Sequence, residues 1–290
     1  MSKKLLPETL YKFNIQEFIA QALAEDAGDG DHTSLACIPS TAKGKAQLLV
    51  KEDGIIAGVE LAIKIFKHID KTLHTKVFIK DGAIVKQGDI VFTVEGKAHS
   101  ILIAERLVLN CMQRMSGIAT ATNKMIQLCA GTKARVIDTR KTTPTVRGLE
   151  KWAVLIGGGA NHRIGLYDMI LIKDNHIDYA GGIPQAIKAA NDYLKKKNKK
   201  LKIEIEARNL NEVNQILTAG NIDRIMLDNF TIHELKKAMM LIDSKYETEA
   251  SGGINYRTIR NYAKCGVGFI SIGALTHSIK SLDLSLKAIV

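Results

Sequence analysis

The chain has 290 residues, of which 46% are hydrophobic and 24% are charged, and its formal net charge is +11. This composition is typical of a globular protein, and the length suits two domains or one barrel with additions. No apolar run approaches the roughly 20 residues of a membrane-spanning helix, so we expect no membrane association. The start, MSKKLLPETLYKFN, lacks the apolar core of a secretory signal, and the four cysteines form no CxxC pair. We therefore expect a cytoplasmic protein without disulfides or metal clusters.

The excess of positive charge is consistent with either a nucleic acid or an anionic small molecule as partner. Aromatic residues make up only 5% of the chain, and they are not interleaved with basic residues. The lysine-rich segment Lys195–Lys200 closes a predicted helix, where cations are favoured by the helix dipole. We therefore expect no nucleic-acid partner and favour a small anion.

The N-terminal third mixes helices and short strands. Apolar residues at helical spacing predict an amphipathic helix near the start: Ile15, Phe18, Ile19, Ala22 and Leu23. The segment Glu25–Ser34 is then predicted to be a loop, and alternating residue types over residues 74–98 predict a small β meander. A long helix is predicted from about His99 to Ala130. We interpret residues 1–116 as an α+β domain.

From Ala134 onward, short apolar strands alternate with helical segments. Six strands are predicted: RVID, MILIK, KIEIEA, RIMLD, ETEAS and FISIG. The later ones end 22 or 23 residues apart, which fits a short strand plus a crossover helix and hence a parallel sheet. Six units without a dinucleotide fingerprint favour an α/β barrel over residues 117–275. Residues 276–290 are predicted to form a C-terminal helix that packs back on the first domain.

Cations are concentrated in the stretch Asp138–His176, among runs that are too apolar for a solvated surface. Its basic residues include Arg140, Lys141, Arg147, His162, Arg163 and Lys173. Buried charge is costly unless it is paired, and the acids of this stretch can neutralise only part of the set. We therefore expect a heavily charged anion as the missing partner.

Catalytic groups of parallel barrels lie at the carboxyl ends of the strands. Lys141 and Lys173 follow the first two strands, and Glu206 and Asp228 end the third and fourth. Two carboxylates at one mouth can hold Mg²⁺, accept hydrogen bonds from sugar hydroxyls or act as acid and base. The alternative is that they are structural ion-pair partners of the lysines. The lysines also permit Schiff-base chemistry, so an aldolase is a rival enzyme class.

Small residues follow the last two strands, in Ser251–Gly253 and Gly273–Ala274. There the backbone N–H groups can approach an anion, so a phosphate site is one interpretation and a pair of tight turns is the other. Arginine side chains suit carboxylates and phosphates. Arg106, on the predicted long helix, is either such a group or a surface residue. His162 is either a ligand contact or a buried core histidine.

Several motifs resemble the quinolinate phosphoribosyltransferase family and occur in the same order, over about Glu25 to Ser278: EDAGDGDHTS, ERLVLNCMQRMSGIAT, DTRKTTP, LEKWAV, IKDNHI, LDNF, SGGI and FISIGALTHS. The resemblance implies an N-terminal α+β sandwich-like domain. It further implies an open parallel α/β barrel of the type II phosphoribosyltransferase kind, with seven strands. It also implies a homodimer in which each N-terminal domain covers the partner's barrel mouth.

The implied reaction transfers phosphoribosyl from 5-phosphoribosyl 1-pyrophosphate to quinolinate, giving nicotinate mononucleotide, pyrophosphate and CO₂, with Mg²⁺ as cofactor. Lys141, Lys173, Glu206 and Asp228 would be catalytic, and the two acids would hold the metal, directly or through substrate or water. Arg106 would reach the partner's site. The full set of implied substrate contacts is Arg106, Arg140, Lys141, Thr142, His162, Arg163, Lys173, Glu206, Asp228, Ser251, Gly252, Gly253, Gly273 and Ala274.

The sequence departs from the family pattern in two loops. The family commonly has glycine and a leucine-like residue where this chain has Thr145 and Val146, and two glycines where it has Gly157–Gly159. A nicotinate phosphoribosyltransferase with a similar barrel is a further alternative, which would bind one carboxylate and release no CO₂.

Overall fold

The computed structural model describes residues 13–289. The residues before Phe13, to which most of the signal-peptide expectation refers, lie outside this range. Chain contacts define two compact units. Among the described residues, the first comprises the segment up to Asn123, Thr143–Gly158 and the segment from Ser278, and the second comprises Lys124–Thr142 and Gly159–His277. The division by contacts falls inside the long helix, between Asn123 and Lys124.

The first half of the chain contains the elements α1 (Ile15–Ala27), α2 (His32–Cys37), β1 (Lys43–Val50), β2 (Gly54–Ile55), α3 (Val59–Ile69), β3 (His74–Val77), β4 (Ile84–Val85), β5 (Ile90–Lys97), α4 (Ala98–Leu128) and β6 (Arg135–Ile137). The second half contains α5 (Arg147–Ile156), β7 (Ile170–Ile172), α6 (Asp174–Ala180), α7 (Ile183–Lys196), β8 (Ile203–Ala207), α8 (Leu210–Ala219), β9 (Arg224–Asp228), α9 (Ile232–Ile242), β10 (Glu247–Ser251), α10 (Ile259–Lys264), β11 (Phe269–Ser271), α11 (Ala274–His277) and β12 (Leu284–Ile289). Among the described helices, none combines the length and apolarity that crossing a membrane requires.

An antiparallel sheet with the order β12-β1-β5-β3 forms the centre of the first unit. The helix α3 buries Leu61, Ile65 and Phe66, and the Phe66 ring meets Phe92 of β5 edge to face at 5.9 Å. Burial of such a continuous apolar stripe stabilises a helix against a sheet. The predicted α+β character of this part of the chain is confirmed.

Three local predictions for the first unit are wrong. The segment predicted as a C-terminal helix over 276–290 is mainly the strand β12, paired with β1, because its Leu284 and Leu286 are buried at a spacing of two residues. The meander lacks its middle strand, since β4 pairs with β2 while β3 pairs directly with β5. The loop predicted over Glu25–Ser34 is shorter, because Asp31 accepts the N–H of Ser34 and begins α2.

The long helix is confirmed over Ala98–Leu128. Hydroxyl groups of this helix form hydrogen bonds with backbone N–H groups that have no partner in a sheet. Ser116 Oγ accepts the N–H of Ala57 at 2.9 Å, and Thr120 Oγ1 accepts the N–H of Ile55 at 2.8 Å. Buried N–H groups need such partners, so these bonds fix the strand β2 and the start of α3 to the helix.

The second unit is built on a six-stranded parallel sheet with the order β6-β11-β10-β9-β8-β7, and all six predicted strands are confirmed. Seven strands were implied by the family resemblance. The described residues contain six, and one isolated parallel bridge, between Ile137 and Ala160, adds a contact beyond the edge strand β6. Capping residues predictably begin the crossover helices: Asn209 accepts the N–H of Glu212, and Thr231 forms a capping box with Glu234.

Thr145 adopts a left-handed backbone, with φ at +66°, which a β-branched residue rarely does. It is one of the positions at which the sequence is expected to depart from the family pattern. Its loop is anchored nearby, because Glu150 accepts the N–H of Thr143 at 3.0 Å and a hydrogen bond from Arg114 Nε at 2.8 Å.

We predict that Thr145→Gly increases the free energy of unfolding by about 1 kcal/mol, since it removes the Cβ clash of the left-handed conformation. Urea denaturation measures this change. Thr145→Ala is the control, because alanine keeps the Cβ. A gain in Thr145→Ala as large as that in Thr145→Gly would refute this explanation.

Candidate active site

A cavity of about 800 Å³ opens at the carboxyl ends of the parallel strands of the second unit. Its size falls in the range of small-molecule sites. It is lined by twelve of the fourteen implied substrate contacts: Arg140, Lys141, His162, Arg163, Lys173, Glu206, Asp228, Ser251, Gly252, Gly253, Gly273 and Ala274. The parallel strands therefore bring together residues that lie more than 130 positions apart in the sequence.

The remaining two predicted contacts lie elsewhere. Thr142 follows the lining residues of its loop but is not one of them. Arg106 lies on the exposed side of α4, in the first unit, whereas the cavity is lined by residues of the second. Arg147, of the cation-rich stretch, also belongs to the first unit, in α5.

Four cations, Arg140, Lys141, Arg163 and Lys173, line the cavity. Arg163 is 8% exposed, and its Nη1 donates to the carbonyl of Met169. Burial, together with the nearby charge of Arg140, lowers the pKa of the Arg163 guanidinium. A cationic wall that is partly desolvated in this way favours an anion in the space beside it.

The loop after β6 is held by hydroxyl groups. Thr139 Oγ1 accepts the N–H of Lys141 at 3.0 Å, and Thr276 Oγ1 donates to the Lys141 carbonyl at 2.8 Å. A Cβ on Gly273 would lie 3.0 Å from Cδ of Lys141, tighter than most contacts of this kind. Gly273 therefore leaves room for the Lys141 side chain.

Two carboxylates face the cations. Glu206, on β8, is buried, and burial raises its pKa; the charge of Asp228 raises it further while Lys173 opposes the shift. Lys173 Nζ lies 3.6 Å from Glu206 Oε2. Asp228, at the end of the neighbouring strand β9, accepts a hydrogen bond from Asn229 Nδ2 at 2.6 Å. The acidic pair that the strand ends predicted therefore lines the cavity.

The turn after β10 needs its glycines. Gly252 and Gly253 have φ values of +95° and +60°, and a Cβ on Gly252 would collide with Asn229. The turn does not lead directly into a helix, because α10 begins only at Ile259. The helix α11 does follow Gly273 directly, but it has only four residues.

Sequence reasoning missed several lining residues, among them Asn229, Glu249, Asn255, Ser271 and His277. Glu249 and Ser271 each lie two positions before a predicted site residue on the same strand or at its end. Because alternate strand residues share a face, this period was the signal that pointed to them. Asn229 has φ at +56°, and nothing in its local sequence indicated that conformation.

A buried charged cluster includes groups at the wall of the cavity. His162 Nε2 lies 3.0 Å from Glu204 Oε2 and 3.5 Å from Glu249 Oε2, and both carboxylates are essentially inaccessible to solvent. Arg224 Nη1 lies 3.2 Å from Glu249. Burial, then the charge of Glu204, raises the pKa of Glu249 to about 8. Burial also raises the pKa of Glu204.

We predict a pH signature of Glu249. Its pKa rises from an ordinary 4.5 to about 8 on folding, so folding takes up a proton between these values and rising pH destabilises the folded state. Relative to Glu249→Gln, the wild type should lose free energy of unfolding across this window, by at most about 1.4 kcal/mol per pH unit. The groups facing Glu249 are Glu204, His162, Arg224 and Ser271.

Chemical denaturation of both proteins at a series of pH values provides the measurement. Glu95→Gln is the matched control, because Glu95 is an exposed carboxylate on β5 that lies 3.7 Å from Lys45 Nζ. Parallel stability curves for the wild type and Glu249→Gln would contradict a proton held at Glu249.

The fold and the cavity define a class before any comparison is made: a parallel-barrel enzyme whose strand ends bind multiply charged small molecules. Residues 118–287 match the family model "Quinolinate phosphoribosyl transferase, C-terminal domain", and residues 31–116 match the model of its N-terminal domain. The chain belongs to the quinolinate phosphoribosyl transferase family, and it is a phosphoribosyltransferase.

Its relatives span the whole chain. It is 47% identical to the "Nicotinate-nucleotide pyrophosphorylase [carboxylating], chloroplastic" of Arabidopsis thaliana, over 99% of this chain and 86% of that protein. It is 38% identical to the "Probable nicotinate-nucleotide pyrophosphorylase [carboxylating]" of Bacillus subtilis, over 94% and 92%. The solved structure of NadC from Streptococcus pyogenes superposes with a TM-score of 0.91 at 35% identity, over 100% of both chains.

Proposed function

We propose that the protein transfers phosphoribosyl from 5-phosphoribosyl 1-pyrophosphate to quinolinate and decarboxylates the product, in NAD biosynthesis. The products are nicotinate mononucleotide, pyrophosphate and CO₂. The observation that carries the proposal is a single cavity that combines four cations with three carboxylates, those of Glu206, Asp228 and Glu249. Quinolinate has two adjacent carboxylates and the donor has a phosphate and a pyrophosphate, so the two reactants match this charge.

Arg140, Arg163 and Lys173 bind quinolinate in this proposal. Arginine forms paired hydrogen bonds to carboxylates, which fix the orientation of the ring as well as its position. Arg163 is restrained in a way that suits this purpose, because it is buried and its Nη1 donates to the Met169 carbonyl. Orientation matters because the ring nitrogen must face the ribose carbon that it attacks.

The donor occupies the opposite wall. Its 5-phosphate lies against Ser251–Gly253 and Gly273–Ala274, where the glycines allow close approach of the backbone. Lys141 binds the pyrophosphate, and Glu206 and Asp228 bind the ribose hydroxyls. These groups lie at the carboxyl ends of five strands, β6, β8, β9, β10 and β11, so the sheet sets the distances between them.

The chemistry needs no nucleophilic side chain. As pyrophosphate departs, positive charge develops on the ribose, which Glu206 and Asp228 stabilise, while Lys141 stabilises the departing anion. The ring nitrogen of quinolinate then bonds to the ribose and becomes positively charged. That charge stabilises the electron pair left when the neighbouring carboxylate leaves as CO₂, and the ring carbon then takes up a proton from solvent to give nicotinate mononucleotide.

Glu206 and Asp228 would also hold Mg²⁺, directly or through substrate or water. The residues fit this ion, because both offer carboxylate oxygen to one cavity and Glu206 Oε2 accepts no hydrogen bond from the described residues. When bound, Mg²⁺ would neutralise charge on the pyrophosphate.

The decisive assay mixes the protein with quinolinate, the ribosyl donor and Mg²⁺ and detects nicotinate mononucleotide and CO₂ in equal amounts. Nicotinate accepted in place of quinolinate, without CO₂, would indicate the nicotinate enzyme instead. Borohydride trapping of a lysine with a carbonyl substrate would indicate an aldolase. Lys173 is ion-paired with Glu206, which does not favour that last chemistry.

We predict that Arg140→Ala and Arg163→Ala each weaken quinolinate binding at least about tenfold, because each removes charge-assisted hydrogen bonds. Donor binding should change much less. Isothermal titration with each substrate alone separates the two effects. Lys188→Ala, in an exposed ion pair with Asp192 on α7, is the control. Equal losses for both substrates would contradict the assignment.

The homodimer and the cytoplasmic location also belong to the proposal. Arg106 is an exposed cation on a long helix, which suits a group that reaches into a partner's site. All four cysteines are unpaired thiols, as expected in a reducing compartment.

Mixing two inactive variants tests the shared site. Subunits of Arg106→Ala and Arg140→Ala should regain activity when exchanged, because a mixed dimer then contains one intact site. Random exchange restores about a quarter of all sites. If the mixture stays as inactive as its components while mixed dimers are present by native mass spectrometry, Arg106 does not act across the dimer.

A further inference from the structure

Both ring nitrogens of His162 are engaged inside the protein. Nδ1 accepts the backbone N–H of Arg163 at 2.8 Å, and Nε2 lies 3.0 Å from Glu204 Oε2. A neutral imidazole has one N–H and one acceptor nitrogen, so the proton is on Nε2. Nε2 is buried beside the two carboxylates, although it does not meet them in hydrogen-bonding geometry, and the ring lines the cavity.

The carboxylates beside Nε2 are themselves fixed. Glu204 on β8 and Glu249 on β10 flank the strand β9, whose Arg224 lies 3.8 Å from the first and 3.2 Å from the second. The Arg224 guanidinium in turn stacks over the Phe269 ring at 3.9 Å. Strand-borne groups with such contacts have little freedom, so they define where the imidazole can lie.

The other end of this chain of contacts is Arg163. The backbone on either side of the His162 side chain is tied down twice, since Asp138 accepts the N–H of His162 at 3.0 Å and His162 Nδ1 accepts that of Arg163. A fixed backbone and the bond from its guanidinium to Met169 together direct the Arg163 side chain along the cavity wall.

We propose that Glu204 and Glu249 are positioning residues of the quinolinate pocket, which hold Arg163 in place through His162. This inference rests on the proposed function. Hydrogen-bonded support of this kind sets the geometry of a site, and displacement of a binding group by about 1 Å can cost up to a hundredfold in rate.

The three groups His162, Glu204 and Glu249 also lie close enough to share a metal ion, with ligand atoms within 4.8 Å of one another. Arg224 already supplies positive charge to both carboxylates, which favours the structural role.

A double-mutant cycle tests the route through Arg163. Glu249→Gln should raise the KM for quinolinate about tenfold, with the donor KM nearly unchanged. In an Arg163→Ala background the same substitution should have almost no further effect on quinolinate, because the group that it positions is gone. Independent, multiplied losses would overturn the proposal. Glu95→Gln is the matched carboxylate-to-amide control.

Two replacements of His162 test whether both nitrogens matter. Asparagine keeps an oxygen acceptor near the Nδ1 position, and glutamine keeps an N–H donor near the Nε2 position. We expect both His162→Asn and His162→Gln to lose quinolinate affinity, because the route from the carboxylates to Arg163 uses both ring nitrogens. Full quinolinate affinity in either variant would overturn the proposal. This pair keeps the proposal testable even if Glu249→Gln does not fold.

The wild type separates the two levels of inference. If it does not bind quinolinate in the titration, the proposed function fails. If it binds quinolinate while the cycle is additive or either histidine variant keeps full affinity, only the positioning inference fails. Zn²⁺ or Mn²⁺ that binds the wild type but not Glu249→Gln would identify the cluster as a metal site and would also overturn it.

Discussion

Like charges held around one cavity need opposite charge close by, and this constraint underlies the whole second unit. Arg140, Lys141, Arg163 and Lys173 line a common space. Their counter-charge comes partly from Glu206 and Asp228 and is completed by anionic substrates. The four cations repel one another, and the negative charge of bound substrates offsets that repulsion. The charge of the pocket is therefore complementary to that of its substrates.

Charged groups are also paired with one another inside the barrel, below the cavity. Most parallel barrels fill their interior with branched apolar side chains. Here Glu204, Arg224 and Glu249 occupy neighbouring strands, and His162 lies against them. A buried ionic cluster contributes little net stability, but it accepts only a few arrangements. We attribute to this cluster the fixed position of the cavity wall beside it, because apolar packing alone is less selective about the arrangement of its side chains.

Local patterns were sufficient wherever one face or one end of an element decided its structure. The six strands of the barrel, the helix α4 and most lining residues could be predicted, because apolar runs and strand-end polarity are local signals. The strand β12 was misread as a helix, since six residues at the end of a chain show too little periodicity to distinguish the two. The pairing of β4 with β2 depends on partners far apart in sequence.

The sequence alone therefore determined the fold class, the family and the inventory of charges, because these depend on residue types and their order. Only the tertiary structure decided which nitrogen of His162 faces which partner, that Thr145 takes a left-handed backbone, and that Glu249 lies beside Glu204. These features come from contacts between segments that are distant along the chain. Packing between those segments sets the orientation of each side chain, and no local sequence pattern encodes it.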